Sequence, residues 1–399
     1  MTVGEGAVTR GPYLQLSTED SVVVVWRSDV ATAPVVRYGS SPSKLDQQEG
    51  KDFALKVSSG IEITTTGKRY ARLHSAPNDT RQYEMKLSDL EPDTRYYYAI
   101  YDGGDKLAGG DADHFFRTHP ERGTDAPIRI WAVGDSGKGN EVQRGVYHGA
   151  LKVLEEDGKP LNMYLHVGDM AYTHGRDLEF QTGFFDMYQT TLRHAVCWPS
   201  MGNHEGHTSD GLIQTGPYYD AYVSPARGEA GGVVSGTEAY YSFDYGRAHF
   251  ICLNSFDVDR SAEADMAQWL KADLNATNAD WLVVFFHHPP YTKGSHDSDR
   301  EIELIEMREQ IMPILEAGGV DMVLTGHSHI YERSMLIDGA YATPTVADGV
   351  VLDDGDGHMH GDGAYQKSAG LHAHQGVAQL VIGHGGQNLS RKGAMPIMR

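Results

Sequence analysis

The sequence predicts two domains, an N-terminal antiparallel β-sandwich followed by an α/β sandwich in which two sheets are flanked by helices. Residues 8 to about 119 contain short strand-like runs separated by turn residues, a pattern typical of an antiparallel sandwich. From Ile128 onward, apolar strand-like runs alternate with amphipathic helical stretches, which is typical of an α/β fold. The segment 119–127 contains two prolines and a glycine and is the predicted linker. We therefore expect domains at 1–120 and 121–399.

Runs rich in β-branched and aromatic residues make up the first domain. They are SVVVVWR, APVVRYG, KRYARLH, RQYEMKL, TRYYYAIY and HFFRT. Their spacing predicts strands that alternate with turns and pack as two sheets. We expect the Tyr-rich strands to form the core of the sandwich; the alternative is a surface that binds carbohydrate or another surface.

Three amphipathic stretches predict helices in the second domain. The first, over 140–156, would place four apolar residues on one face: Val142, Val146, Ala150 and Val153. The second fits 263–274, and the third runs over about 300–317 and ends at a pair of glycines. The segment 339–376 is rich in Gly, Asp and His and is predicted to be a long loop.

Composition excludes several classes of protein. With 399 residues, 40% hydrophobic and 22% charged, the chain is ordinary for a soluble globular protein. No stretch approaches the roughly 20 apolar residues of a membrane span, and no signal-like leader precedes Thr2. The formal net charge of −21, without a basic run, argues against nucleic acid as the main partner. Cys197 and Cys252 lie in apolar runs, and we expect inert buried thiols.

Five motifs with polar side chains each follow an apolar run of the second domain. They are GDSG at Asp135, GDMAY at Asp169 and Tyr172, GNHE at Asn203 and His204, VFFH at His287, and GHSH at His327 and His329. Each apolar run predicts a buried strand, and open α/β sheets place their sites at the carboxyl ends of strands. A single GD or GNH arises often by chance, but five such motifs in order do not. We therefore expect these side chains to meet in one site.

The motif side chains offer oxygen and nitrogen donors without a thiolate. This set suits Fe, Mn or Zn, and does not suit Cys-bound Zn or Cu. Seven side chains are too many for one tetrahedral ion, but with a bridging carboxylate they serve two ions and leave positions for water and substrate. Two ions roughly 3.5–4 Å apart can clamp the attacking and leaving oxygens of an in-line displacement at phosphorus.

The five motifs together resemble the signature of the purple acid phosphatases, a branch of the calcineurin-like metallophosphoesterases. HIYER at 329–333 extends the resemblance. Many members of the wider superfamily begin with Asp-x-His, whereas this chain has Asp-Ser-Gly and adds Tyr172 three residues after Asp169, which favours the purple branch. The stretch LEPDTRYYYAI resembles the tyrosine-corner strand of fibronectin type III-like domains, and larger purple acid phosphatases carry such a domain at this position.

The resemblance implies how the ligands divide between two metal ions. Asp135, Tyr172 and His329 would hold an Fe(III). Asn203, His287 and His327 would hold a divalent Fe, Zn or Mn, and Asp169 would bridge the two ions. The implied activity is hydrolysis of phosphate monoesters by in-line attack of a metal-bound hydroxide, and tyrosinate on Fe(III) would give a charge-transfer colour.

Two further histidines are expected to act on the substrate. His204 follows Asn203 directly, and we expect a general acid or a donor to a phosphate oxygen; the alternative is a purely structural residue. His296 stands where the family places one or two histidines that hold the phosphate and help to protonate the leaving group; the alternative is a solvated loop histidine. Asp297 occupies the position of a second histidine in some relatives.

The sequence gives less support for a role of the other histidines in catalysis or metal binding. His288 follows His287, and because adjacent side chains on a strand point to opposite faces, we expect it to pack in the core or support a ligand. Two His-x-His pairs, at 358–360 and 372–374, are expected to be solvated loop residues; the alternative is a second metal site. The loop that carries them would cover the cavity and shape specificity. His384 is a candidate for the rim of the cavity.

Alternative functions keep or discard this site. A phosphodiesterase or nucleotide hydrolase would use the same two metals. In another class, residues 8–119 would be a surface-binding module beside an idle catalytic domain, which the complete ligand set disfavours. A cytoplasmic signalling phosphatase that acts on phosphoproteins is disfavoured by the sandwich domain. We expect a phosphate ester substrate and no nucleic acid or membrane partner. We also expect an extracytoplasmic location, secreted or periplasmic. A homodimer is one of the assemblies open to the chain.

Overall fold

The computed structural model describes residues 8–28, 33–58, 64–65, 68–72, 76–368 and 370–399. The start of the chain, where the sequence predicts no leader, lies outside the described residues. So do the last two residues of the predicted strand KRYARLH, Leu73 and His74. In the described ranges, no helix combines the length and the apolar character that crossing a membrane requires.

The first part of the chain forms two sheets of short strands. The strands are β1 (Val8–Gln15), β2 (Val22–Ser28), β3 (Pro34–Gly39), β4 (Gln47–Glu49), β5 (Phe53–Val57), β6 (Thr64–Thr65), β7 (Lys68–Arg72), β8 (Arg81–Leu87), β9 (Arg95–Asp102), β10 (Asp105–Gly109) and β11 (Phe115–Arg117). One sheet has the order β1-β2-β8-β5-β7-β6, and the other has the order β10-β9-β3-β4 with β11 also paired to β9. The predicted antiparallel β-sandwich is confirmed, although β5 and β7 pair in parallel.

Aromatic side chains fill this sandwich. Trp26 is fully buried in β2 and stacks on Tyr83 of β8 with ring centroids 5.2 Å apart. Tyr96 stacks on Phe116 at 5.4 Å, and its hydroxyl accepts a hydrogen bond from the backbone N–H of Glu91 at 3.0 Å. Such a bond from the backbone to a strand tyrosine is the tyrosine corner of sandwich domains. The Tyr-rich strands therefore form the core, as predicted.

The second part of the chain contains two more sheets. Its strands are β12 (Ile130–Val133), β13 (Met163–His166), β14 (Cys197–Pro199), β15 (Tyr241–Tyr245), β16 (Ala248–Cys252), β17 (Trp281–Phe285), β18 (Met322–Thr325), β19 (Tyr331–Arg333), β20 (Leu336–Ile337), β21 (Val351–Asp353) and β22 (Ala378–Ile382). The order β12-β13-β14 forms a parallel sheet. The order β15-β16-β17-β18-β22-β19 forms a mixed sheet with antiparallel edges, and β20 pairs with β21. The predicted two-sheet α/β sandwich is confirmed.

Helices flank these sheets. They are α1 (Glu141–Asp157), α2 (Asp177–Phe180), α3 (Asp186–Leu192), α4 (Pro217–Ala221), α5 (Asp265–Ala276), α6 (Ile302–Glu306) and α7 (Met312–Ala317). A π-helical turn at Gln181–Phe185 joins α2 to α3, and another at Met307–Ile311 joins α6 to α7. The three predicted helices are confirmed as α1, α5 and the continuous segment from α6 to α7.

The predicted apolar face of α1 is not the face that the core covers. Val142 and Val153 are 49% and 64% exposed, whereas Tyr147 and Gln143 are buried. Tyr147 stacks on Trp131 with centroids 5.5 Å apart, and the Gln143 side chain donates to the carbonyl of Gly183 at 2.6 Å. A tyrosine ring buries more apolar area than a valine, so the aromatic residue, rather than the valine stripe, determines which side of the helix faces the sheet.

Candidate metal centre

The five motifs follow strands of both sheets of the α/β sandwich. Asp135, Asp169 and Asn203 come after β12, β13 and β14 of the parallel sheet, and His287 and His327 come after β17 and β18 of the mixed sheet. The carboxyl ends of the two sheets therefore meet at one place, as open α/β folds place their sites. Asp135, Asp169 and His327 have φ of 58°, 57° and 63°. This left-handed conformation is uncommon for residues with a side chain and clusters at functional sites.

The motif glycines make room for this convergence. Gly168, directly before Asp169, has φ of +92°, and a Cβ there would lie 2.5 Å from Nδ1 of His287. A Cβ on Gly202 would collide with the carboxylate of Asp169. Both positions need glycine because another side chain occupies the space beside the backbone.

One half of the site contains Asp135, Tyr172 and His329. The Tyr172 hydroxyl lies 3.2 Å from Oδ1 of Asp135. Nε2 of His329 lies 3.5 Å from the same carboxylate oxygen and 3.5 Å from the Tyr172 hydroxyl. Two oxygen donors and one nitrogen donor thus face a common point.

The other half contains Asn203, His287 and His327. The amide oxygen of Asn203 lies 3.1 Å from Nε2 of His287 and 3.0 Å from Nδ1 of His327. Asp169 lies between the halves, with its Oδ2 2.9 Å from the Tyr172 hydroxyl and 3.4 Å from Nε2 of His287. All seven predicted side chains are therefore brought together, and one carboxylate oxygen reaches both halves.

Hydrogen bonds outside the cluster orient its imidazoles. Nδ1 of His287 lies 2.7 Å from the carbonyl oxygen of Val167, which accepts its proton and leaves Nε2 free to face the cluster. Nε2 of His327 lies 3.4 Å from Oε2 of Glu301, which leaves Nδ1 for the cluster. Imidazoles that bind metals are held by such second contacts in most metal sites.

The cluster is buried and electrostatically suited to cations. Asp135, Asp169 and His287 are at most 1% exposed. Burial and the two carboxylates raise the pKa of Tyr172 well above its ordinary value, whereas Asp169 raises the pKa of His287 to about 9 despite burial. Oxygen donors packed this closely repel one another unless protons or cations lie between them, and a bound cation reverses these pKa shifts. The donor set and its spacing fit metal ions.

His204 lies beside the cluster with one nitrogen already engaged. Its Nδ1 lies 2.7 Å from the carbonyl oxygen of Thr173, and its Nε2 lies 3.8 Å from Oδ2 of Asp169. The ring packs against that of Tyr172 with centroids 4.3 Å apart. The side chain is 24% exposed, so Nε2 lies at the cluster and the ring reaches solvent.

His296 lies beside His327 and is held by a carboxylate. Its Nδ1 lies 2.7 Å from Oε2 of Glu301, and its ring centroid lies 3.7 Å from that of His327. Asp297, which stands where some relatives have a second histidine, pairs instead with Lys293 and Arg300. The histidine therefore has a glutamate as its partner.

Two glutamates that support the cluster were not predicted from the sequence. Glu205 is fully buried, and its carboxylate accepts hydrogen bonds from the backbone N–H groups of four motif residues: Gly202, Asp169, Met170 and Ala171. Its position inside GNHE is a signal that could have identified it. Glu301 contacts both His296 and His327, and no local pattern distinguishes it, because the intervening loop brings it back to the site.

The remaining histidines lie outside the cluster or at its edge. Strand β17 ends at Phe285, so side-chain alternation does not separate His288 from His287. His288 is buried as predicted, with Nδ1 3.0 Å from Oγ of Ser255 and its ring 4.5 Å from that of His327. His384 packs 5.8 Å from the ring of Tyr331. The four histidines of the two His-x-His pairs are exposed. Both cysteines are free and buried, as predicted.

The chain matches two family models. The model "Calcineurin-like phosphoesterase" matches residues 128–331, and the model "Purple acid Phosphatase, N-terminal domain" matches residues 10–118. Purple acid phosphatase 18 of Arabidopsis thaliana is 26% identical over 355 residues, which cover 86% of this chain and 70% of that protein. Purple acid phosphatase 23 of the same plant is 30% identical over 279 residues, which cover 63% and 57% of the two chains.

Solved structures share the fold. Purple acid phosphatase PPD1 from seeds of yellow lupin (Lupinus luteus) superposes with a TM-score of 0.65 over 100% of this chain and 69% of the lupin chain, at 17% identity. The structure of PhoD superposes with a TM-score of 0.53 over 94% and 77% of the two chains, at 14% identity. Sequence and fold together show that the chain belongs to the calcineurin-like phosphoesterases, in the purple acid phosphatase branch of these metal-dependent phosphatases.

Proposed function

We propose that the protein is a dinuclear metallohydrolase that cleaves phosphate monoesters. Asp135, Tyr172 and His329 would hold Fe(III), and Asn203, His287 and His327 would hold a divalent Fe, Zn or Mn. The observation that carries this division is the position of Asp169, whose Oδ2 lies 2.9 Å from Tyr172 and 3.4 Å from His287. When bound, the two ions supply positive charge that polarises the phosphate and lowers the pKa of a water molecule.

His204 is proposed to donate a hydrogen bond or a proton to the substrate. Its contact with the Thr173 carbonyl makes Nδ1 the protonated nitrogen in the neutral ring, so Nε2 carries a proton only when the ring is an imidazolium. Nε2 lies 3.8 Å from the carboxylate of Asp169, at the edge of the cluster. An imidazolium at this place can stabilise charge on a phosphate oxygen or protonate the leaving alcohol.

His296 is proposed to act with Glu301 on the other side of the cluster. The glutamate occupies Nδ1, which leaves Nε2 as the nitrogen for a phosphate oxygen. The same glutamate contacts His327. Glu301 therefore fixes a proposed substrate-binding residue and a proposed ligand relative to each other.

The division of the chain into domains 1–120 and 121–399 is also a proposal. The gap between the two family matches, at residues 118 and 128, supports a boundary in this region. The fibronectin type III-like character of the first domain, the extracytoplasmic location and the homodimer stay predictions, as does a cover over the cavity formed by residues 339–376.

Parallel rates on two synthetic substrates test the proposed specificity. 4-Nitrophenyl phosphate and bis(4-nitrophenyl) phosphate share a leaving group and differ in whether phosphorus carries one or two ester bonds. We expect kcat/KM to be at least about tenfold higher for the monoester, equivalent to about 1.4 kcal/mol of transition-state stabilisation. Equal rates, or faster hydrolysis of the diester, would favour a phosphodiesterase. Asp169→Asn should lose both activities, which shows that one site produces them.

A further inference from the structure

A second group of side chains suited to a metal lies at the base of loop 339–376. Glu316 lies near the end of α7, Asp338 follows β20, and His374 lies shortly before β22. The catalytic cluster follows the carboxyl end of β18, whereas Glu316 and His374 precede the amino ends of β18 and β22. A strand of four residues spans about 13 Å. The two groups therefore lie at opposite ends of the strands of the mixed sheet.

The three side chains converge because the fold closes the loop at its base. The backbone N–H of Val377 donates to the carbonyl of Ile337 at 2.8 Å, and that of His374 donates to the carbonyl of Glu316 at 2.9 Å. Oδ1 of Asp338 then lies 3.0 Å from Nδ1 of His374. One ligand atom from each of the three side chains lies within 4.8 Å of the other two. Two ligands of a tetrahedral zinc ion are about 3.3 Å apart, so Asp338 and His374 are already close to this spacing, and a ligand atom of Glu316 lies within 4.8 Å of both.

Glu316 supplies the observation that distinguishes this group from an ordinary surface cluster. The residue is 2% exposed. Its Oε2 accepts hydrogen bonds from the backbone N–H of Gly339 at 2.8 Å and from the hydroxyl of Tyr341. Its Oε1 is buried and has no hydrogen-bond partner among the described residues. A buried carboxylate oxygen without a partner is costly and rare in native structures.

The electrostatics of Glu316 favour a positive charge or a proton beside its carboxylate. Burial raises its pKa to about 7, and the neighbouring carboxyl of Asp338 adds to the increase. Two carboxylates that face each other in this way repel unless a proton or a cation lies between them. A divalent ion bound between the two carboxylates would remove the repulsion and could give Oε1 a partner.

We propose that Glu316, Asp338 and His374 bind one divalent cation of the zinc or manganese class, apart from the catalytic centre, and so fasten both ends of loop 339–376. Two carboxylates and an imidazole, without a thiolate, suit these ions. A metal that joins the two ends of a long loop stabilises the closed loop, because the ion binds the folded state and not the unfolded chain. The proposal is independent of the substrate and of the reaction at the catalytic centre.

Metal counting on the whole protein tests this site. The wild type, Asp338→Asn and His374→Ala are equilibrated with Zn(II), and in parallel with Mn(II), and bound metal is counted by mass spectrometry after removal of free ions. With at least one of the ions, we expect the wild type to hold one equivalent more than either variant. Both variants should keep hydrolysis of 4-nitrophenyl phosphate within about twofold, because neither residue contacts the catalytic cluster.

Two control variants distinguish loss of the additional ion from loss of other bound metal. His360→Ala removes an exposed histidine of the same loop and should keep the wild-type metal count. Asp169→Asn should lose catalytic metal and keep the additional ion. If Asp338→Asn and His374→Ala hold as much of both metals as the wild type, or if His360→Ala loses the same equivalent, the site does not exist, and the three side chains form only a polar cluster.

Discussion

The hydroxyl of Tyr172 lies 2.9 Å from Oδ2 of Asp169, and the same carboxylate oxygen lies 3.4 Å from Nε2 of His287. Tyr172 belongs to the motif after β13 in one sheet, and His287 belongs to the motif after β17 in the other. Asp169 thus lies between the donors that follow one sheet and those that follow the other. A carboxylate that bridges two metal ions has to occupy such a position.

Asp169→Asn should therefore impair both metal positions together. The amide lacks the negative charge that a bridge between two cations supplies. We expect a loss of activity larger than the about 10- to 100-fold that removal of an outer hydrogen-bond partner costs, with bound metal reduced by more than one equivalent. Metal content and kcat measured on the same preparation check this. Asp280→Asn, on the exposed loop before β17, is the matched control. Loss of one ion only would contradict the bridge.

His204→Ala should separate chemistry from metal binding. The histidine lies next to the proposed ligand Asn203 without joining the set of metal donors, so metal content should stay at the wild-type value. We expect kcat to fall by about 100- to 10,000-fold, the range for loss of a general acid. His207→Ala is the matched control, because this exposed histidine lies only 5.8 Å from the ring of His204. Full activity in His204→Ala would remove the assignment.

Glu301→Gln should weaken the site through two histidines at once. Glutamine keeps the size of the side chain but loses the charge that holds Nδ1 of His296 at 2.7 Å. We expect kcat to fall by about 10- to 100-fold, with a shift in the pH–rate profile because the variant lacks the ionisable carboxylate that contacts both His296 and His327. Glu303→Gln on the same helical segment should change neither quantity. A profile unchanged in Glu301→Gln would show that His296 acts without this partner.

A buried imidazolium far from the catalytic centre should make stability depend on pH. His249 is 1% exposed, with Nδ1 2.6 Å from Asp244 and Nε2 2.8 Å from Asp273. Against the effect of burial, these carboxylates raise the pKa of His249 from 6.5 to about 9. A folded pKa above the unfolded one gives stability that is complete below pH 6.5 and is lost as the pH rises through about 9.

The difference corresponds to about 3 kcal/mol in the free energy of unfolding. Urea unfolding between pH 6 and 9.5, at constant metal concentration, should show this loss in the wild type. His249→Gln should be less stable at pH 6 and should show a much smaller decrease with pH. Parallel decreases in the two proteins would assign the pH dependence to other groups.

The convergence of the motif side chains could be predicted because the ends of buried strands can be recognised in the sequence. Asp135 and His327 come from strands in different sheets, yet each follows an apolar run that predicts a buried strand. Because such strands place their carboxyl ends at one edge, the order of motifs was enough to predict that their side chains meet. The nine predicted residues lie together in the structure, although their division between metals and chemistry stays a proposal.

The failures share a physical cause, which is tertiary context. The return of Glu301 to His296 depends on the path of an irregular loop that no periodicity encodes. The buried side of α1 is set by Tyr147 and its stack on Trp131, whereas the valine stripe suggested another face. His288 is buried as predicted, but strand β17 ends at Phe285, so its burial does not follow from the alternation of side chains along a strand.

The central claim is that Tyr172 and Asp169 belong to a site with two ions, one of them Fe(III). Its most direct test is metal content together with the visible spectrum of protein purified without added metal. We predict two metal equivalents at the catalytic centre including iron, with a broad visible band that is lost in Tyr172→Phe. Two zinc or manganese ions without a band, or a band that survives Tyr172→Phe, would contradict the claim.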